Sequence, residues 1–192
     1  ARIVVDLQTI VSREVNPLHP AVVTVGSFHG GTKHNIIPGE VKLQLTVRTT
    51  TDEVRAQVLR AIERITKAAA VAADAPEPII KLHDHFTPAL VNDRQLTEKT
   101  VALFRNILGE EFVHERPRSL GGEDFSRYIR EGVPGFYYFV GSAPPERVTE
   151  AKQGGPPLAK THTDKFFPVP EPTIKTGVLT MTAAVLNLTE KK

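Results

Sequence analysis

A chain of 192 residues has room for one ordinary domain or two small ones. Charged residues at 24% and apolar ones at 40% argue against disorder, and 24 Lys+Arg against 22 Asp+Glu leave a net charge of +2. That charge is too small to grip a phosphate backbone and argues against nucleic acid. No apolar run is long enough to cross a membrane. The absence of Cys excludes disulfides, thiolate metal sites and cysteine nucleophiles, so any metal must be held by His, Asp and Glu.

The chain opens ARIVVDLQTIVSRE, with Ile3, Leu7, Ile10, Val11 and Glu14 at helical spacing and no residue before Ala1 to cap the helix. The only Met is Met181, and no signal-peptide pattern precedes the helix. These features lead us to expect a chain that starts inside something larger. Ala21 to Val25 reads as a strand and Gly30-Gly31 as a turn. Residues 41 to 49 alternate strictly, with Val41, Leu43, Leu45 and Val47 on one face and Lys42, Gln44, Thr46 and Arg48 on the other, as in a half-buried antiparallel strand. Thr50-x-x-Glu53 predicts a capping box for a helix ending near Ala73, and residues 78 to 86 read as a further strand. This order is that of a βαββαβ unit lacking its first strand.

Two aromatic residues precede position 100 and ten follow it, which predicts a boundary near Thr87-Pro88. Asn92 or Asp93 caps a helix closed by Gly109. A short strand is expected at 112 to 116, a brief helix after Gly121-Gly122, and a central buried strand at 134 to 141. Residues 142 to 172 hold seven of the fifteen prolines and show no period. Thr173 is read as the cap of a last helix whose Ile174, Val178, Met181, Val185 and Leu188 form a core stripe.

Among seven His, His83 and His85 share one face of the expected strand and would pinch a metal, or else lie on an exposed edge beside Lys81 and Asp84. His162 lies in the Pro-rich stretch, where a loop imidazole can complete a metal site; Asp164 and Glu171 are nearby acids without a distinguishing signal. Gly121-Gly122-Glu123-Asp124 precedes a helix, so the backbone there can approach an anion, or Glu123 and Asp124 simply cap the helix. Arg48 on its polar strand face could fork onto a carboxylate, or pair with a neighbouring acid. Asn35 and Arg48 are read as coming from the two adjacent strands of the first domain. GxSxG, HExxH and GxGxxG are all absent.

At GGTKHNIIPGEVKLQLTVR and at SLGGEDFSRYIREGVPGFYYFVG the chain resembles metal-dependent amidohydrolases of the M20 peptidase family, nearest to the hippurate, N-acyl-amino-acid and auxin-conjugate hydrolases. The resemblance runs over essentially the whole chain and covers the C-terminal part of such an enzyme. It implies an α/β fold. Residues 1–86 would form most of a ferredoxin-like βαββαβ dimerisation (lid) domain without its first strand. Residues 87–192 would be the returning part of a zinc-peptidase-like catalytic domain.

The resemblance further implies that His162 is a metal ligand, although Asp164 replaces the usual Pro of that motif and PVPEP replaces the usual acids. It implies that Asn35 and Arg48 bind the substrate's carboxylate, and that Gly121, Gly122 and Glu123 form the substrate-side loop. The implied cofactor is a divalent metal (Zn, Mn, Co or Ni), two ions per site. The implied reaction is hydrolysis of a small N-acyl amino acid or amide by metal-activated water, in a homodimer joined through the lid. The family's other ligands and its general base would lie upstream, so the chain alone is expected to be inactive. A non-catalytic dimerisation or ligand-binding module is the alternative. RNA binding through the sheet is disfavoured by its near lack of aromatic residues.

Overall fold

The computed structural model describes residues 1–83 and 85–190. The chain divides into two compact units, one of Ala1–Val91 with Pro117–Val133 and the other of Asn92–Arg116 with Pro134–Lys192.

In the first unit, α1 (Arg2–Thr9) starts without a side-chain cap at Ala1 and runs into a wider π turn over Ile10–Glu14. Helical spacing puts Leu7 and Ile10 on one face, and both are fully buried. Strands β1 (Ala21–Gly30) and β2 (Val41–Thr49) pair antiparallel, with Ala21 opposite Thr49, Val23 opposite Val47 and Val25 opposite Leu45. A register shift between Val25 and Ser27 changes the phase of the alternation, so that Phe28 pairs with Leu43 on the same face as the inward residues. β1 runs five residues beyond Val25. At its end a Cβ on Gly30 would lie 2.7 Å from a Val41 methyl, and Gly31 turns the chain at φ +79.

The following helix, α2 (Asp52–Ala72), is capped by Thr51, whose Oγ1 accepts from the Val54 N–H at 3.3 Å. The cap is thus one residue later than the expected Thr50. Val54, Val58, Ala61, Ile62 and Ile65 face Leu7, Ile10, Val15 and Val23 to make the core of this unit.

Residues 78 to 86, expected as a strand, form none among the described residues; Asp84 lies outside them. Pro76 and Pro78 remove two backbone donors at its entry, and Ile79 and Leu82 are exposed, so the segment has no buried face to fix a register. The sheet therefore holds two strands within a mixed α/β fold.

In the second unit, α3 (Arg94–Leu108) is capped by Asp93, which accepts from the Leu96 N–H at 2.8 Å, and it ends at Gly109 with φ 102. The expected strand at 112 to 116 gives way to a single 3-10 turn, Glu110–Phe112. Nor do residues 134 to 141 pair as a strand among the described residues. Their aromatic side chains pack instead: the buried Phe104 ring lies 5.0 Å from Tyr138 and 6.1 Å from Phe136, separations at which offset and edge-on rings attract.

The Pro-rich stretch contains a helix that its lack of period concealed, α5 (Pro145–Lys152), started by a proline at its first position. The single turn α4 (Ser126–Arg130) belongs to the first unit. The last helix, α6 (Pro170–Thr189), begins at Pro170 without a side-chain cap. Thr173, expected as that cap, instead donates to the Gly141 carbonyl at 3.3 Å. The expected core stripe of α6 is exposed, from Ile174 through Val178, Met181 and Val185 to Leu188. The buried residue of α6 is Thr180, whose Oγ1 lies 2.9 Å from the Tyr138 hydroxyl. Periodicity marks a face as apolar; it does not supply a partner for it.

Candidate functional site

Strand alternation places Arg48 on the polar face of β2, opposite Val22 of β1. Its Nη1 donates to the carbonyl oxygen of Leu120 at 2.7 Å, across 72 positions of sequence. Leu120 is the residue immediately before Gly121-Gly122-Glu123. Two separate parts of the expected substrate-binding set thus come together within the first unit.

The loop beyond Leu120 is held by its own groups. The Gly121 N–H lies 3.4 Å from Ser119 Oγ, and Gly122 faces Thr87, with room for ordinary contact only. Glu123 is half-buried. Its carboxylate accepts from the Phe125 N–H at 3.4 Å, and its carbonyl accepts from Ser126 N and Oγ at 3.1 and 2.6 Å. The N–H groups of Arg127 and Tyr128 donate to the carbonyls of Asp124 and Phe125. These four donors at the start of α4 are therefore engaged, and the helix is a single turn. The helix itself has no side-chain cap: the Glu123 carboxylate meets the N–H of Phe125, the residue before its first turn.

Asn35 is exposed in the connection between β1 and β2, and among the described residues no hydrogen bond joins it to Arg48. His162 is an exposed residue of the second unit, in a turn with φ 68, and Thr163 closes the turn by donating to the Lys160 carbonyl at 2.8 Å. Glu171, one of the acids considered beside His162, is bound by Lys175 Nζ at 2.6 Å. His83 and His85 are exposed on irregular chain. Among the described residues no three metal-capable side chains gather. The residues present therefore do not make a closed metal site, and His162 is a single imidazole.

One cluster went unnoticed in the sequence. The guanidinium carbons of Arg55, Arg130 and Arg127 lie 3.7, 5.3 and 5.7 Å from the centre of the Phe86 ring. Arg130 pairs with Asp52, and Arg127 donates to the Phe86 carbonyl. The i, i+3 spacing of Arg127 and Arg130 was a visible signal; their common target, a lone aromatic on irregular chain, was not.

The family model of the peptidase dimerisation domain (M20_dimer) matches residues 1–74. N-acetyl-L-cysteine deacetylase of Bacillus subtilis is 38% identical over 145 residues, covering 74% of this chain and 33% of that protein. IAA-amino acid hydrolase ILR1-like 4 of Arabidopsis thaliana is 32% identical over 210 residues, covering 100% and 44%. The crystal structure of a methicillin-resistant Staphylococcus aureus protein described as an aminohydrolase superposes with a TM-score of 0.78 at 26% identity, covering 97% of this chain and 44% of that one. The chain spans less than half the length of these relatives.

Proposed function

The chain belongs to the M20 peptidase family, and from that premise we propose that it serves a metal-dependent amidohydrolase that cleaves the amide bond of N-acyl amino acids or similar small amides. The observation that carries this reading is the bond from Arg48 to Leu120. A guanidinium has five N–H donors in a planar fork. One is used on the Leu120 carbonyl, which tethers the group beside Gly121-Gly122 and leaves others to grip a carboxylate in two-point fashion. Amino-acid conjugates of the kind named for the relatives carry such a carboxylate at one end and the scissile amide near it.

On this reading residues 1–86 act as the dimerisation and lid domain and pair with a second copy, while residues 87–192 form part of the catalytic domain. Arg48, with Asn35, binds the acid end of the substrate. Gly121 and Gly122 let the substrate approach the backbone, with Glu123 beside them. His162 is this chain's contribution to the metal centre. Divalent-metal dependence is general in the family; we expect Zn, Mn, Co or Ni, with two ions per site, an imidazole donor suiting Zn and Ni best. When bound, the metal supplies the activated water. What this chain's own residues do is bind and orient.

The test is hydrolysis by the full-length protein of an N-acetyl amino acid and of its carboxamide. Arg48→Ala is expected to raise KM for the free acid by about 10- to 100-fold, the loss of a charged two-point contact, and to leave the carboxamide unaffected. An equal loss on both substrates would overturn the role. A native chain that dimerises but carries no metal and hydrolyses neither would favour the non-catalytic module instead.

A further inference from the structure

We propose that Asp52, Phe86, Arg127 and Arg130 are positioning residues for the substrate loop: they pin residues 119–130 so that the Leu120 carbonyl stays against Arg48. The proposal rests on the reading of Arg48 as the carboxylate anchor.

The loop cannot hold itself in place. Its only helical part is α4, five residues long, and one isolated turn does not repay its own nucleation. Its buried member is Ser126, at 1% exposure, and the N–H and hydroxyl of Ser126 both donate inside the turn, to the Glu123 carbonyl. Two ties from the turn to the rest of the unit leave from its arginines. Arg130 Nη1 lies 3.2 and 3.1 Å from the two carboxylate oxygens of Asp52, in the first turn of α2. Arg127 donates to the Phe86 carbonyl.

The Phe86 ring then takes three cations at once, Arg55 from α2 and Arg127 and Arg130 from α4. Three guanidiniums near one another repel; the ring's negative face and the Asp52 carboxylate offset that repulsion. A Cβ added to Gly122 would lie 3.6 Å from the methyl of Thr87, the residue after Phe86. The consequence at the other end of the loop is the placement of Leu120. Arg48 is an exposed side chain on a strand, and the Leu120 carbonyl is what limits its freedom. If the loop drifts, Arg48 loses that restraint and must be ordered by the substrate, which weakens binding without touching bond cleavage.

The experiment pairs two readouts on Phe86→Leu, Asp52→Asn, Arg130→Gln and Arg130→Lys. Amide exchange at Ser126, Arg127 and Tyr128 reports the loop, with the paired amides of Val23 and Val47 as the control for folding. In the full-length protein, KM and kcat are taken for an N-acetyl amino acid and for its carboxamide. Phe86→Leu, Asp52→Asn and Arg130→Gln are expected to speed exchange at the three loop amides by about 3- to 10-fold with the strand amides unmoved. They are expected to raise KM for the free acid by a similar factor, with kcat kept and the carboxamide untouched. Arg130→Lys, which keeps a cation for Asp52, recovers part of both effects.

Unchanged loop exchange would overturn the proposal, as would faster exchange with no change in KM for the free acid. If Arg48→Ala leaves the preference for the acid intact, the carboxylate reading itself has failed, and the positioning role falls with it even where exchange still shows the loop to be pinned.

Discussion

The side chain of Asn92 is bonded to the backbone of Tyr137 in both directions. Its Nδ2 donates to the Tyr137 carbonyl and its Oδ1 accepts from the Tyr137 N–H, each at 2.8 Å. A single carboxamide thereby satisfies a donor and an acceptor as a neighbouring strand would, and the next residue, Asp93, extends the pattern by donating from its N–H to Gly135 at 2.8 Å. Asn92→Ala deprives both groups of Tyr137 of this partner and is expected to cost about 1–3 kcal/mol in urea unfolding. Asn92→Asp keeps the acceptor but sets a carboxylate oxygen against the carbonyl, and is expected to cost at least as much. Two variants of native stability would show that the pair contributes nothing.

The core of the first unit predicts a sharp contrast between two large aliphatic residues. Leu7 is 1% exposed against α2, whereas Ile37 is 94% exposed in the connection between the strands. Leu7→Ala is expected to destabilise by about 2–5 kcal/mol, the loss of burial plus the cavity left behind. Ile37→Ala is expected to stay within about 0.5 kcal/mol of the native chain. Thermal unfolding of the two variants decides it, and comparable losses would contradict the placement of this core.

How much of this was legible in the sequence depended on how local each signal was. The amphipathic α2, a cap at Asn92 or Asp93 and the alternating β2 are written in spacing, and all three stand in the structure, with Asp93 as the cap. Residues 134–141 read as a strand because PGFYYFVG is apolar and bounded by turn residues, yet a strand needs a partner, and the partner of Tyr137 is a side chain. The α6 stripe likewise shows a face but not its cover. Arg48 was singled out by its strand face, and the loop by its glycines. That the two meet at Leu120 depends on a separation of 72 residues, which no window of sequence contains. The Phe86 cluster was hidden for the same reason, since its members come from α2, irregular chain and α4.

Glu53 lies in the first turn of α2, and hydrogen bonds hold its carboxyl below the usual glutamate range: first from its own backbone N–H, then from the Thr51 side chain. A carboxyl whose folded value is depressed adds stability that is fully present above the unfolded value of about 4.3 and is lost as pH falls through the folded value. Thr51→Ala removes the second of these bonds together with the helix cap. The carboxyl resonance of Glu53 is then expected to titrate at higher pH, nearer the ordinary range, and the unfolding free energy at neutral pH to drop by about 1 kcal/mol. A Glu53 titration unmoved by Thr51→Ala would show that the hydroxyl has no part in it.

His162 offers a test in which backbone and imidazole pull apart. Its φ of 68 is in the left-handed region, which costs a residue with a Cβ and suits glycine. If the residue is only a turn former, His162→Gly relieves that strain, His162→Ala does not, and metal content follows neither. As a metal ligand, His162 makes the opposite prediction. Both substitutions lower the divalent metal affinity of the full-length protein by at least about 100-fold and abolish turnover, while the exposed side chain leaves urea unfolding of the Ala variant of this chain within about 0.5 kcal/mol of native. Metal analysis after dialysis, read beside the unfolding midpoints, separates the two. Full metal content and an undiminished rate in either variant would remove His162 from the metal centre.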